Sequence, residues 1–216
     1  MEIFMNYFII CFEIIGTISF AVSGSVLALN KNMDIFGSCI LGLTTACGGG
    51  MIRDILLGIT PPSALKNPIY LIIATITSLI IFLPAVRRLL SSNKKLYETI
   101  MLITDSIGLG IFTVCGAKVA IDANYFTNSF LIVFVAVITG VGGGVMRDIF
   151  AGIKPYIFIK HIYACAAIFG AVVCTVTYSL SGEKISMILG FAVIIVIRIC
   201  AAKFRWSLPK ATEFEL

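Results

Sequence analysis

Charge is what this sequence has least of. Asp, Glu, Lys and Arg make up 12% of its 216 residues, about half the share of an average soluble domain. Hydrophobic residues make up 59%, and the mean hydropathy is +1.07. A soluble fold is excluded, and most of the chain must consist of membrane-spanning segments. There is one histidine, His161, so no histidine metal cluster can be assembled and no Ser-His-Asp set has a usable histidine. The seven cysteines (Cys11, Cys39, Cys47, Cys115, Cys165, Cys174 and Cys200) are odd in number and form no Cys-x-x-Cys pair. That excludes a disulfide framework or thiolate metal site and leaves them as small hydrophobes. No cofactor, metal or enzymatic chemistry is expected. The net charge of +5 is read through membrane topology rather than nucleic acid, because basic residues collect on the cytoplasmic side. The opening Met1-Glu2-Ile3-Phe4 carries no basic run and no small-residue cleavage site follows, so the first apolar stretch is expected to be a retained helix.

A helix needs about 20 mostly apolar residues to cross a bilayer. Seven stretches qualify: Asn6–Leu29, Phe36–Gly58, Ile69–Val86, Tyr97–Ala120, Ser129–Gly152, Ile162–Leu180 and Ile185–Ala202. Short connections rich in turn formers separate them, such as Asn30-Lys31-Asn32 and Ser181-Gly182. These runs are too uniformly apolar for the alternating strands of a membrane barrel. The expected fold is therefore an all-α integral membrane protein with one transmembrane domain over 1–203 and a short cytoplasmic tail over 204–216. Lys31, Arg87, Arg88, Lys94, Lys95, Lys154, Lys160, Lys203, Arg205 and Lys210 fall on one side, and only Lys66 and Lys184 on the other. The positive-inside rule then places the N-terminus outside and the C-terminus in the cytoplasm of a multi-pass protein of the cell (inner) membrane.

The chain repeats itself. Gly48-Gly49-Gly50-Met51-Ile52-Arg53-Asp54 recurs 94 residues later as Gly142-Gly143-Gly144-Val145-Met146-Arg147-Asp148, and a Gly-Ile-x-Pro follows each copy. Phe12-Glu13-x-x-Gly16-x-x-x-Phe20-x-Val22-x-Gly24 resembles Thr104-Asp105-x-x-Gly108-x-x-x-Phe112-x-Val114-x-Gly116, and Ile69-Tyr70 resembles Ile162-Tyr163. The unit is three spans: about 6–86, then about 97–180, with a seventh helix over about 185–202. An odd-numbered unit must enter the membrane in opposite directions, which gives an inverted repeat of two three-helix bundles with sites near the midplane.

The motif is the candidate site. Glycine costs roughly 1 kcal/mol relative to alanine inside a helix, so three in a row predict a kink or unwound turn. Such a break is tolerated in lipid only against protein or a water-filled cavity. Close packing explains the small residues as well, but not the charges behind them, each costing about 2.5–3.5 kcal/mol at a helix centre. Adjacent helical residues do not share a face, so Arg53, Asp54, Arg147 and Asp148 are each expected to seek partners elsewhere. Glu13, Asp105 and the opposite repeat's Arg-Asp pair are the candidates. Together these four acids and two arginines are expected to line or gate one polar path. Lys118 stands where the first repeat has Val26; near a span end, it is read as snorkelling outward in preference to a pore role. Arg198 is read as interfacial, and His161 sits at a cytoplasmic boundary.

Two Gly-Gly-Gly-x-x-Arg-Asp copies in a chain built as three plus three plus one resemble the prokaryotic members of the trimeric intracellular cation (TRIC) channel family, whose sequences are also labelled bacterial glycine transporters. The resemblance runs over roughly Phe8 to Ala202. It implies a homotrimer with a water-filled pore in each subunit. It also implies kinks in spans two and five at the triple glycines, a seventh span bracing the repeats, and conduction of monovalent cations, chiefly potassium. Carried over by motif, the pore-lining or gating positions are Gly48, Gly49, Gly50, Arg53 and Asp54, and Gly142, Gly143, Gly144, Arg147 and Asp148. Arginines repel a permeant cation, which leaves two accounts. Either acids neutralise them and they shape a gate, or they bind the carboxylate of a small zwitterion whose ammonium meets Glu13 or Asp105.

Overall fold

The computed structural model describes residues 2–159 and 162–206, and of residues 2–6, 91 and 159 the backbone only. Lys160, His161, Lys210 and all but the first three residues of the tail lie outside the described residues. The secondary structure among the described residues is all helical: α1 (Glu2–Asn30), α2 (Ile35–Leu56), α3 (Ser63–Lys66), α4 (Ile69–Phe82), α5 (Pro84–Ser92), α6 (Lys94–Ala120), a π-helical turn (Ile121–Tyr125), α7 (Ser129–Phe150), α8 (Tyr156–Ile159) and α9 (Tyr163–Lys203). Caps fall where the sequence offers them. Asp34, Asn93 and Asn128 each accept a backbone N–H of the first turn of α2, α6 and α7, satisfying donors that a helix start leaves unpaired.

Five helices are long and apolar enough to cross a membrane: α1, α2, α6 with its π turn, α7 and α9. The expected third span differs. α4 has 14 residues, about 21 Å at 1.5 Å per residue, and does not run on to Val86. Pro84 starts α5 at 69° to it, because proline cannot continue the helix and disfavours helical geometry in Leu83. α9 has 41 residues, about 60 Å if straight, twice the ~30 Å hydrocarbon core. The expected turn at Ser181-Gly182 is a single residue, Gly182, at φ 76° and ψ 172°, which glycine adopts without a Cβ penalty.

The core is built for close approach. Phe20, Ala21, Val26, Leu109, Ile111 and Val114 are at most 1% exposed, while Phe130, Leu180 and Phe36 are 70–80% exposed on the outer surface of the chain. Buried hydroxyls bond backward along their own helices, as in Thr45 to Leu41 O at 2.6 Å and its repeat counterpart Thr139 to Val135 O at 2.7 Å. These bonds satisfy polar atoms that would be costly in an apolar interior.

The triple glycines do not unwind. α2 and α7 run as α-helix through Gly48–Gly50 and Gly142–Gly144, so the expected unwound turn is absent. The glycines serve a helix crossing instead. A Cβ on Gly49 would lie 2.1 Å from the carbonyl oxygen of Thr139, and one on Gly143 would lie 2.1 Å from that of Thr45. The pairing of 49 with 139 and 45 with 143 makes the two helices antiparallel. The same economy recurs between α1 and α6. Phe20 lies against Gly108, Phe112 approaches Gly16, and the two rings sit 5.3 Å apart.

Candidate functional site

One turn beyond the crossing, each helix ends in its Arg-Asp pair, and the antiparallel arrangement sends the two pairs to opposite ends. Both arginines are buried, Arg53 at 7% and Arg147 at 0% exposure, and Asp54 and Asp148 at 1%. Neither arginine points toward headgroups.

Each arginine pairs with its own neighbour, which corrects the expectation of separate partners for Arg53, while Arg147 also reaches Asp105, one of the expected partners. Arg53 Nε donates to Asp54 Oδ1 at 2.8 Å, and Arg147 Nε donates to Asp148 Oδ1 at 2.8 Å. Adjacent residues leave a helix about 100° apart, but an arginine side chain is long enough to fold back over that angle, and burial leaves it no water as an alternative. The second oxygen of each aspartate fastens the chain that follows. Asp54 Oδ2 accepts Ser63 N–H at 2.6 Å, and Asp148 Oδ2 accepts Tyr156 N–H at 2.8 Å. In both copies a left-handed glycine (Gly58, φ 71°; Gly152, φ 66°) turns the chain back toward the aspartate.

Beyond this shared unit the halves diverge. In the second, Arg147 Nη1 donates to Asp105 Oδ1 at 2.7 Å and to Ser23 Oγ at 2.5 Å, the latter a link to α1 of the first half. Asp105 is 0% exposed and also holds Arg198, whose Nη2 is 3.4 Å from Asp105 Oδ2 and whose Nε donates to Ser106 Oγ at 3.2 Å. The guanidinium of Arg198 lies over the Tyr163 ring, 4.8 Å from its centroid, while the Tyr163 hydroxyl is 3.5 Å from Asp105. Arg198 is thus part of the cluster and not interfacial. As the lone charge between Lys184 and Lys203 of α9, it carried the one signal that could have found it, since an ionisable residue in a span is a site candidate by default.

In the first half the counterpart of Asp105 is Glu13, and it does not pair with Arg53. It accepts a hydrogen bond from the Tyr70 hydroxyl, Tyr70 being the repeat equivalent of Tyr163. Beside it lies a cavity of about 60 Å³ lined by Glu13, Thr17, Cys47, Arg53, Asp54 and Tyr70, among others. Its mouth lies near exposed Ser63. Of the expected site residues, Arg53, Asp54 and Glu13 meet here, and Arg147, Asp148 and Asp105 meet at the other end. The six acids and arginines therefore form two clusters with the glycine crossing between them. The rest of each triplet is less constrained. Gly48 faces Met146 Sδ, Gly142 faces Gly49 Cα, Gly144 faces the Tyr163 hydroxyl, and Gly50 has only the end of Arg53 within 4 Å.

Lys118 belongs to neither cluster. It ion-pairs with Asp122 in the π turn and lies 3.7 Å from Glu183, beside the Gly182 break. It thereby ties the end of α6 to the bend of α9 rather than snorkelling freely. A second and larger cavity of about 830 Å³ opens among the ends of α1 and α4 and the starts of α5 and α6, with Arg87, Arg88, Lys94 and Tyr97 on its wall.

This geometry has relatives. A family model described as Glycine transporter matches residues 10–85 and 102–179, one match on each repeat. The inner membrane protein YadS of Escherichia coli is 36% identical over 91% of this chain and 93% of its own length. A structure solved in work on conductance through TRIC cation channels superposes with a TM-score of 0.83 at 37% identity, covering 95% of this chain and 98% of that one. The TRIC trimeric intracellular cation channel orthologue from Rhodobacter sphaeroides superposes with a TM-score of 0.83 at 28% identity, covering 92% and 98%. The chain thus belongs to the glycine transporter family, the sequence family that includes the prokaryotic TRIC channels.

Proposed function

We propose that this protein is a monovalent cation channel, with potassium as its chief ion. Its path would run inside each subunit of a homotrimer, between two inverted halves. The observation that carries this reading is the pair of buried Arg-Asp clusters at opposite ends of the α2–α7 crossing. Charges are costly in a membrane and there mark ion or substrate paths, and these face the protein interior. The TRIC relatives support conduction, and no part of the reading requires catalysis. The antiparallel glycine crossing and the matched Glu13–Tyr70 and Asp105–Tyr163 pairs support the inverted arrangement. Counting α4 with α5 as one broken span and dividing α9 at Gly182 yields seven spans. The basic residues then lie on the cytoplasmic side, with the N-terminus outside, in the cell (inner) membrane.

The proposed path is closed in this conformation. Backbone meets backbone at Gly49 and Gly143, and the tilted rings of Phe20 and Phe112 pack beside them. Opening would slide or separate these contacts, with Gly48, Gly49, Gly50, Gly142, Gly143 and Gly144 allowing the movement. Arg53, Asp54, Arg147, Asp148, Glu13 and Asp105 would line the two vestibules, and Lys118 would act at a distance through the α9 bend. Potassium flux into liposomes tests this reading. The wild type should dissipate a potassium gradient, and Phe20→Ala, which thins the contact between the halves, should raise the rate. A tight liposome in both cases would overturn it.

One observation favours a second reading, transport of a small zwitterion such as glycine. Glu13 and Arg53 face one cavity without pairing to each other, so an ammonium and a carboxylate could each find a partner there. Saturable uptake of labelled glycine without unitary currents would establish it.

A further inference from the structure

The two halves hold matching residues in two arrangements. In the second, Arg147 clamps Asp148 and gives Nη1 to Asp105 at 2.7 Å and to Ser23. Arg147 and Asp105 are fully buried, and the Tyr163 hydroxyl stays 3.5 Å from the Asp105 carboxylate. In the first half, Arg53 clamps Asp54 in the same way, through Nε and Nη2, but among the described residues its Nη1 makes no ion pair or hydrogen bond. Glu13, the counterpart of Asp105, is partly exposed and takes the Tyr70 hydroxyl instead. The cavity of about 60 Å³ is lined by both Glu13 and Arg53. It therefore occupies the place that the Arg147–Asp105 bridge fills in the other half. Each carboxylate can take an arginine or a tyrosine, and each half displays one of the two choices.

We infer that the two bridges exchange. In a second conformation Arg53 pairs with Glu13 and closes the first cavity, while Arg147 releases Asp105 to Tyr163 and an equivalent cavity opens in the second half. The gap to be closed is short. A volume of about 60 Å³ is roughly two water molecules' share of liquid, and Glu13 reaches one methylene further than Asp105. The glycine crossing of α2 and α7 lies between the bridges. Rocking one helix on the other about Gly49 and Gly143 closes one end as it opens the other, the motion that inverted repeats perform around a fixed centre. The exchange leaves no buried carboxylate stranded, which would be costly. When Arg147 lets go, Asp105 keeps the contact with Arg198 at 3.4 Å, and Arg147 keeps Asp148. A difference between the halves sets which state rests. Ser23, which accepts from Arg147, corresponds to Cys115 in the first half, and a thiol is a weak acceptor. The inference uses the two-ended path proposed above, but the exchange requires no flux.

The test reads thiol accessibility in the purified full-length protein. Cys47 lines the first cavity, and Val141 is its repeat counterpart. In Val141→Cys, aminoethyl methanethiosulfonate should label position 47 far faster than position 141, with each modified cysteine located by mass spectrometry. The ratio of the two rates tracks the population of the second conformation. Adding Tyr70→Phe removes the competitor for Glu13 and should move the ratio toward position 141 by roughly tenfold or more, as expected for one hydrogen bond to a charged group. A Tyr70 that only fills space predicts the opposite, faster labelling of Cys47. Adding Ser23→Ala with Cys115→Ser transfers an acceptor from Arg147 to Arg53 and should move the ratio the same way. Cys174, 1% exposed, reports any general loosening. An unlabelled Cys47 overturns the inference, as does an unchanged or opposite ratio in either variant with Cys174 still protected. Potassium flux with the same preparations separates the two claims. Exchange without flux removes the channel and keeps the device, and flux with unchanged ratios does the reverse.

Discussion

Within each triple glycine, the structure predicts that the members are unequal. An alanine Cβ at Gly49 would sit 2.1 Å from the Thr139 carbonyl oxygen, and one at Gly143 the same distance from that of Thr45, against an ordinary contact of 3.4 Å or more. The obstructing atoms are main chain and cannot rotate away, so α2 and α7 must separate by roughly 1 Å, at the upper end of overpacking costs, about 3 kcal/mol. Alanine recovers about 1 kcal/mol of helix propensity, for a net loss of about 2 kcal/mol. For a chain of this length that lowers the melting temperature by roughly 4–8 °C. Gly50→Ala meets only the flexible end of Arg53, at 3.7 Å, and keeps the propensity gain, so it should be neutral or stabilising by up to about 1 kcal/mol. Buried Cys47, Cys115 and Cys174 suit a thiol-reactive fluorophore that reports unfolding in detergent. Equal destabilisation of Gly49→Ala and Gly50→Ala, or a Gly143→Ala protein as stable as the wild type, would refute the crossing argument.

The two arginines should differ as well. Arg147→Met strands Asp148 and leaves Asp105 only its 3.4 Å contact with Arg198 in a closed interior, and should cost about 3–5 kcal/mol, the range for breaking a buried ion pair. Arg53 holds one carboxylate where Arg147 holds two, so Arg53→Met should cost less, and thermal melts of both variants check the order. Lys118→Ala removes a partly exposed ion pair and should change stability by at most about 1 kcal/mol without abolishing potassium flux; complete loss of flux would place Lys118 on the path itself.

Much of the fold was legible because spans are set by hydrophobic length and the repeat by residue identity at a fixed offset. The break at Gly182 followed from Ser181-Gly182, and the end of α4 could have been read from Pro84. The part of the site that could not be read depends on which neighbour each side chain meets. Three glycines fit an unwound turn or a contact equally well, and only the unbroken helix and the 2.1 Å approach to a carbonyl on another helix decide between them. Arg53-Asp54 looked like two residues facing apart, since helical wheels ignore the reach of an arginine. Tyr70 and Tyr163 were visible as repeat markers, but their bonds to Glu13 and Asp105 span 57 and 58 residues. Arg198 read as an interfacial charge near a span end until its packing against Asp105 and Ser106 of α6 appeared.

The central claim is that the two clusters belong to one cation path, and single-channel recording of the purified protein in a planar bilayer under a potassium gradient tests it most directly. The account predicts resolved current steps that reverse near the potassium equilibrium potential, with amplitude or open time altered in Arg53→Ala and Arg147→Ala. A silent bilayer containing protein that takes up glycine into liposomes would contradict it and make the polar path an alternating-access site.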